Sequence, residues 1–152
     1  MSLLFKYFAK RIIIDLHPSK FTFSIKEKDI NISFAPFLYL ENGESMWMPI
    51  AIGEDISKEQ LTKPNIYRVE LFNLENKVPS DIVWNKEVLI QLLFEYGIGK
   101  CFENFWFPQL RPVVFILGVS RFSKHLENPK EVFEDAAKRG GARIVIFDKT
   151  EL

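Results

Sequence analysis

The residues able to do covalent or metal chemistry are few: one cysteine, Cys101, and two histidines, His17 and His125, in a chain of 152. That supply cannot build an internal disulfide, a Cys-rich zinc cage or a His-based metal triad. Ser123 and His125 make a serine–histidine pair two residues apart, yet no carboxylate stands at a spacing that orients the ring, as an activated nucleophile requires. Cys101 follows Lys100, whose charge favours a thiolate, but a partly buried structural cysteine is the better reading. Asp55, Glu59 and Glu54 cluster beside Lys58, and Glu70 lies near Glu75; such runs read as solvated faces and are assigned no chemistry. A hydrolase or metalloenzyme is therefore not indicated.

Composition narrows the classes further. Hydrophobic residues make up 47% of the chain and aromatic residues 14%, which excludes a disordered chain and predicts one compact core. Twenty Lys plus Arg balance twenty Asp plus Glu, so the cationic excess that neutralises phosphates is absent and nucleic acid is not an expected partner. No stretch approaches the ~20 consecutive apolar residues of a membrane span; the longest apolar run, 112–119, is bounded by Arg111 and by Ser120-Arg121. Lys6, Lys10 and Arg11 interrupt what a secretory signal needs as a continuous apolar region. A cytoplasmic protein is expected, and the lone cysteine suits a reducing compartment.

The start of the chain has a second property. Five bulky apolar residues stand among three cations over residues 1–11, the composition of an interfacial amphipathic helix on anionic lipid. Leu3, Leu4, Phe5 and Phe8 would be its membrane-facing residues; the alternative is that Leu4, Phe5 and Phe8 pack on the domain's own sheet or are a frayed terminus.

The elements follow from periodicity and punctuation. Arg11-Ile12-Ile13-Ile14-Asp15-Leu16 is β-branched and almost wholly apolar, the pattern of a central strand covered on both faces. Phe21-Thr22-Phe23-Ser24-Ile25 and Ile30-Asn31-Ile32-Ser33-Phe34 alternate strictly, and the short charged connector Glu27-Lys28-Asp29 makes them a hairpin. Residues 37–79 break into short pieces, 37–40, 48–52 and 67–72, which read as a small β-rich insertion. Asn85 can N-cap a helix in which Val88, Leu89, Leu92, Leu93 and Tyr96 recur at helical spacing, with Gly97 and Gly99 as its stop. Residues 112–117 form an apolar strand. Asn128-Pro129-Lys130-Glu131 then supplies a cap, a proline at the first helical position and a capping-box carboxylate, and the helix buries Val132, Phe133, Ala136 and Ala137 before Gly140-Gly141. Residues 142–147 return as a buried strand through a right-handed crossover. The order is βββ, insertion, αβαβ.

That order is similar to the ribonuclease-H-like half of the actin and Hsp70 superfamily, and particular residues resemble the bacterial actin MreB family along nearly the whole chain. Residues 11–16 resemble its first strand and Ile-Asp-Leu-Gly-Thr phosphate loop, and Ile50-Ala51-Ile52-Gly53-Glu54 its Val-Gly-Glu-Glu turn. Lys63-Pro64-Asn65-Ile66 is similar to Thr-Pro-Gly-Asn-Ile, residues 88–94 to Met-Leu-Arg-Tyr-Phe-Ile, and Gly141-Ala142-Arg143 to Gly-Ala-Arg-Glu. Phe107-Pro108-Gln109-Leu110-Arg111-Pro112-Val113-Val114 resembles the family's Phe-(Arg/Lys)-Pro-Arg-(Val/Ile)-Val run before a strand. The resemblance implies an α/β, actin-type subdomain with a mixed sheet. It also implies one domain over 1–152, with about 10–36 and 80–152 as subdomain IA, about 37–79 as IB, and 1–9 as the amphipathic segment. Only the first half of such a protein is represented.

The same resemblance implies half a nucleotide site, in which Asp15, His17 and Ser19 hold the phosphate-loop positions. His17 replaces the glycine whose backbone approaches phosphate, and Pro18, with neither N–H nor hydroxyl, replaces the threonine. Asp15 matches the metal-facing acid, and Ser19 offers a displaced hydroxyl. Glu-Glu-Pro becomes Asp148-Lys149, and a lysine cannot accept a proton from the attacking water at neutral pH. The expectation is a chain without ATPase activity and without a cofactor, ATP and magnesium binding only if the altered loop still holds them. Its partners would be a bacterial actin filament or its own copies, with contact at the inner membrane. A half-site completed by a second chain or by a missing C-terminal half is the alternative. Trp47, flanked by Met46 and Met48, and Phe105, Trp106 and Phe107, beside Phe102 and Leu110, are the candidate partner surfaces; the competing reading buries them in the domain's own core.

Overall fold

The computed structural model describes residues 10–43, 46–54, 57–73, 85–105 and 110–148, with Leu61 described by its backbone only. β1 (Arg11–His17), β2 (Lys20–Ile25) and β3 (Ile30–Phe34) open the fold, the last two joined through a 3-10 turn (Lys26–Lys28) and Asp29 in the left-handed region. The insertion carries β4 (Phe37–Asn42), β5 (Trp47–Ile52), the short α1 (Lys58–Leu61) and β6 (Ile66–Glu70). Then come α2 (Lys86–Phe102), β7 (Val113–Leu117), a 3-10 turn (Val119–Phe122), α3 (Pro129–Arg139) and β8 (Ile144–Phe147).

Five strands form a mixed sheet in the order β3-β2-β1-β7-β8, antiparallel through β1 and parallel from β1 to β8. A second, antiparallel sheet has the order β5-β4-β6. The expected βββ, insertion, αβαβ order is therefore the observed one.

Alternation decides which side of the large sheet is dry. Ile12, Ile14, Leu16, Phe21, Phe23, Val114 and Ile116 point to one face and are buried, under both long helices. Phe94 of α2 stacks on Phe133 of α3 at 5.8 Å, and Phe122 meets Phe133 at 4.9 Å, so an aromatic layer joins the helices to β2 through Phe21. Each such side chain stabilises the fold by about 1.5–3 kcal/mol relative to exposure. Leu38, Leu40 and Val69 of the small sheet belong to the same cluster.

Several expectations are corrected. β1 is central but is covered on one face only among the described residues: Ile13 is half-buried, and Arg11, Asp15 and His17 are exposed. β8 likewise buries one side, since Ile146 remains 41% exposed. Gly97 and Gly99 do not stop α2, which runs on to Phe102. Gly97 lies against the Phe23 ring, and the close packing that a missing Cβ permits outweighs its helix propensity of roughly 1 kcal/mol. Asn85 does cap α2, accepting from the Val88 amide at 2.9 Å. Asn128 makes no such bond; its Nδ2 donates to Glu131 Oε2 at 2.7 Å, so the capping-box residues bond each other rather than the backbone.

Candidate functional site at the first hairpin turn

β1 and β2 pair down to His17↔Lys20, leaving Pro18 and Ser19 as a two-residue turn. The Ser19 amide donates to His17 Nδ1 at 3.1 Å, and the Ser19 hydroxyl lies 2.7 Å from the same nitrogen. Accepting the amide fixes the ring proton on Nε2. Pro18 brings no donor. A phosphate group at this turn would find neither amide: one does not exist and the other is satisfied within the turn.

Asp15 lies on the open face of β1, and its Oδ1 receives Arg121 Nη1 at 3.2 Å. The same nitrogen donates to the Leu16 carbonyl at 3.0 Å. Gly118, with φ +89°, places Arg121 there: a Cβ at that position would collide with the Leu16 carbonyl, so only glycine lets the end of β7 turn this close to β1. A guanidinium therefore stands against the Asp15 carboxylate, where the resemblance would put a metal. The turn does not fit a magnesium–phosphate group, and among the described residues no group of three or more His, Cys, Asp or Glu is placed to hold a metal.

Beside the turn is an open pocket of about 590 Å³, lined by His17, Pro18, Phe37, Arg68, Phe72 and His125 among others. Arg68 covers the Phe37 ring at 4.0 Å and pairs with Glu70 at 3.1 Å. His125 packs edge-on against Phe72 at 5.6 Å, and its buried Nδ1 has no hydrogen-bond partner among the described residues. The ring thus serves as packing, which accords with the absence of an orienting carboxylate near Ser123. Arg121 and Arg68 were not readable as site residues from spacing; the glycine three residues before Arg121 was the one local signal of a turn there.

The remaining candidates separate. Trp47 packs against the core and meets Tyr67 edge-on at 6.5 Å, so it is its neighbours Met46 and Met48, 58% and 55% exposed, that face outward. Phe105 is half-buried and packs on the core beside Phe102, at 5.5 Å. Trp106 and Phe107 lie outside the described residues, as do Leu3, Leu4, Phe5 and Phe8 and also Lys149. Burial pushes the Cys101 thiol up to about 11, the opposite of activation by Lys100. Lys100 instead pairs with Glu103 at 3.4 Å. Glu54 accepts from the Tyr96 hydroxyl at 3.2 Å and ties the insertion to α2.

No protein-family model and no curated protein matches the sequence. Solved structures do match in shape. MreB5 of Spiroplasma citri bound to ADP superposes over 92% of this chain with a TM-score of 0.60 and 17% identity. The AMPPNP-bound form of the same protein gives 0.59 and 18% over the same share. In both cases this chain spans 38% of the neighbour's length, which fits a first-half relationship. At such identity the likeness is one of architecture, and the chain accordingly has an MreB-like, actin-type α/β fold.

Proposed function

We propose that this chain is a non-catalytic, actin-like cytoskeletal protein that acts through its surfaces, binding or capping a bacterial actin filament or associating with its own copies. The observation that carries this reading is the turn after β1, where His17 occupies the Ser19 amide and Arg121 occupies Asp15. Those two contacts replace the donors and the anionic ligand that a phosphate and its cation need. What stays available is shape: an insertion whose outer edge shows Met46, Met48 and Ile50 to solvent. Methionine-rich surfaces adapt to partners at little strain. Seated on a filament end through this edge, the chain would obstruct the next addition.

Calorimetric titration of magnesium-ATP into the purified protein should give no heat of binding. Co-sedimentation with the full-length bacterial actin of the same cell should carry the chain into the pellet or change the polymer yield. A micromolar magnesium-ATP isotherm would favour the other reading, a nucleotide half-site completed by a second chain or a C-terminal half. Contact with the inner membrane through Leu3, Leu4, Phe5 and Phe8 belongs to the same proposal. Flotation with anionic vesicles, lost on Leu4→Glu with Phe8→Glu, tests it.

A further inference from the structure

His125 is one of two histidines in the chain, and the first hairpin turn uses only the other, His17. Its ring is wedged between Phe72, at 5.6 Å, where the chain leaves the insertion, and Phe122, at 6.3 Å, in the aromatic layer of the core. The residue is half-buried, yet its Nδ1 is fully buried and makes no hydrogen bond among the described residues. The charged and titratable groups around it are Lys124 and Glu127 on its own turn, Arg68 and Glu70 from β6, His17 from the end of β1, and Lys86 of α2, whose Nζ lies 5.9 Å from the Phe72 ring. None of them bonds Nδ1.

A neutral imidazole tolerates this place by carrying its proton on Nε2, which leaves only a lone pair at the buried Nδ1. An imidazolium carries N–H on both nitrogens. Held in place, it would bury a charged donor without an acceptor, which proteins avoid by pairing the group or moving it. Turned out, the ring has room and partners, because the pocket of about 590 Å³ opens beside it and Glu70 and Asn73 line the wall with carboxylate and carboxamide oxygens. The backbone need not follow, since the His125 and Leu126 amides both donate to the Phe122 carbonyl, at 3.0 and 2.9 Å. We infer that His125 is an acid-operated latch: neutral, it clamps Phe72 and the returning chain of the insertion onto the core, and protonated, it swings into the pocket and loosens that joint. Phe72 keeps its contact with Phe122 at 4.8 Å, so the joint loosens without unfolding. Histidine is the side chain whose ordinary charge change falls between pH 5 and 8, so mild acid operates the latch.

The inference stands apart from nucleotide and filament binding, and its test uses neither. Leu71, beside Phe72, donates its amide to the Pro36 carbonyl at 3.2 Å and so ties together the two crossings of the insertion. Hydrogen exchange of that amide in the full chain reports the joint. Between pH 7.5 and pH 5, after correction for the intrinsic rate, Leu71 protection should fall at least tenfold more than that of Ile14 in the centre of β1. His125→Phe, which fills the same place and takes up no proton, should remove the fall, and His17→Asn should keep it. If His125→Phe does not fold at pH 7.5, His125→Gln takes its part, since it also cannot be protonated. Unchanged protection in the unaltered chain overturns the inference. So does an equal loss at Ile14, which is global acid unfolding, the same loss in the His125 variant, or its disappearance in His17→Asn.

Discussion

His17 performs inside this protein the role that an anion would take from outside: its ring nitrogen accepts the Ser19 amide and closes the turn. Arg121 does the converse for Asp15, supplying a fixed cation. The Arg121–Asp15 pair is about half-exposed on both sides, so its free energy is small. Arg121→Ala is expected to cost under about 1 kcal/mol in urea unfolding and to leave magnesium-ATP binding absent, because His17 and Pro18 remain. Cys101 gives a second residue-scale test. Its thiol is pushed up to about 11 by burial, so at pH 8 it stays protonated and should react with a thiol reagent only after denaturant is added. Fast native-state labelling would show that the lower end of α2 opens. The replacements at His17 and Pro18 were legible in the sequence because they alter a short motif. Arg121 was not, since it reaches Asp15 only through the parallel pairing of β1 with β7 and the left-handed Gly118.

At the scale of elements, strands and helices were legible where alternation or caps were strong, as in the β2–β3 hairpin and the Asn85 cap. The errors share a cause, which is that tertiary contacts overrode local signals. Gly97 reads as a stop until Phe23 is seen against it, and β1 reads as doubly buried because Ile13 is chemically like Ile12 and Ile14. Gly97→Ala separates the two effects. Helix propensity alone favours alanine by about 1 kcal/mol, but its Cβ would enter the Phe23 ring, and overpacking costs about 1–3 kcal/mol. A net loss of stability in urea unfolding is expected, while Gly99→Ala, with open space around it, should be neutral or stabilising. The Tyr96–Glu54 bond between α2 and the insertion adds a pH dependence. Burial first and the Glu54 charge second raise the Tyr96 hydroxyl above its ordinary 10.0. Its contribution is therefore complete below pH 10 and is lost as pH rises through the folded value. Tyr96→Phe should remove that alkaline loss from the unfolding profile.

For the whole molecule, the two sheets share one hydrophobic cluster, so what the insertion shows to solvent is held in place by the same core that supports the large sheet. Met46, just before β5, and Met48 within it are both more than half exposed, and Ile50 follows at the register shift opposite Tyr39 and Leu40, where it too reaches solvent. Pro49 between them removes a backbone donor, so a partner meets side chains here rather than extending the sheet. With equal numbers of acidic and basic residues, the chain has no net charge to steer association, so the filament contact proposed above would rest on this apolar patch. Met48→Lys should then weaken filament co-sedimentation at least tenfold while changing stability by less than about 0.5 kcal/mol, as exposed substitutions do. If the variant pellets like the unaltered chain, the β5 edge is not the contact. If it pellets less but also unfolds at lower urea, the loss belongs to the fold, and Met46→Lys, at the more exposed position, decides between them.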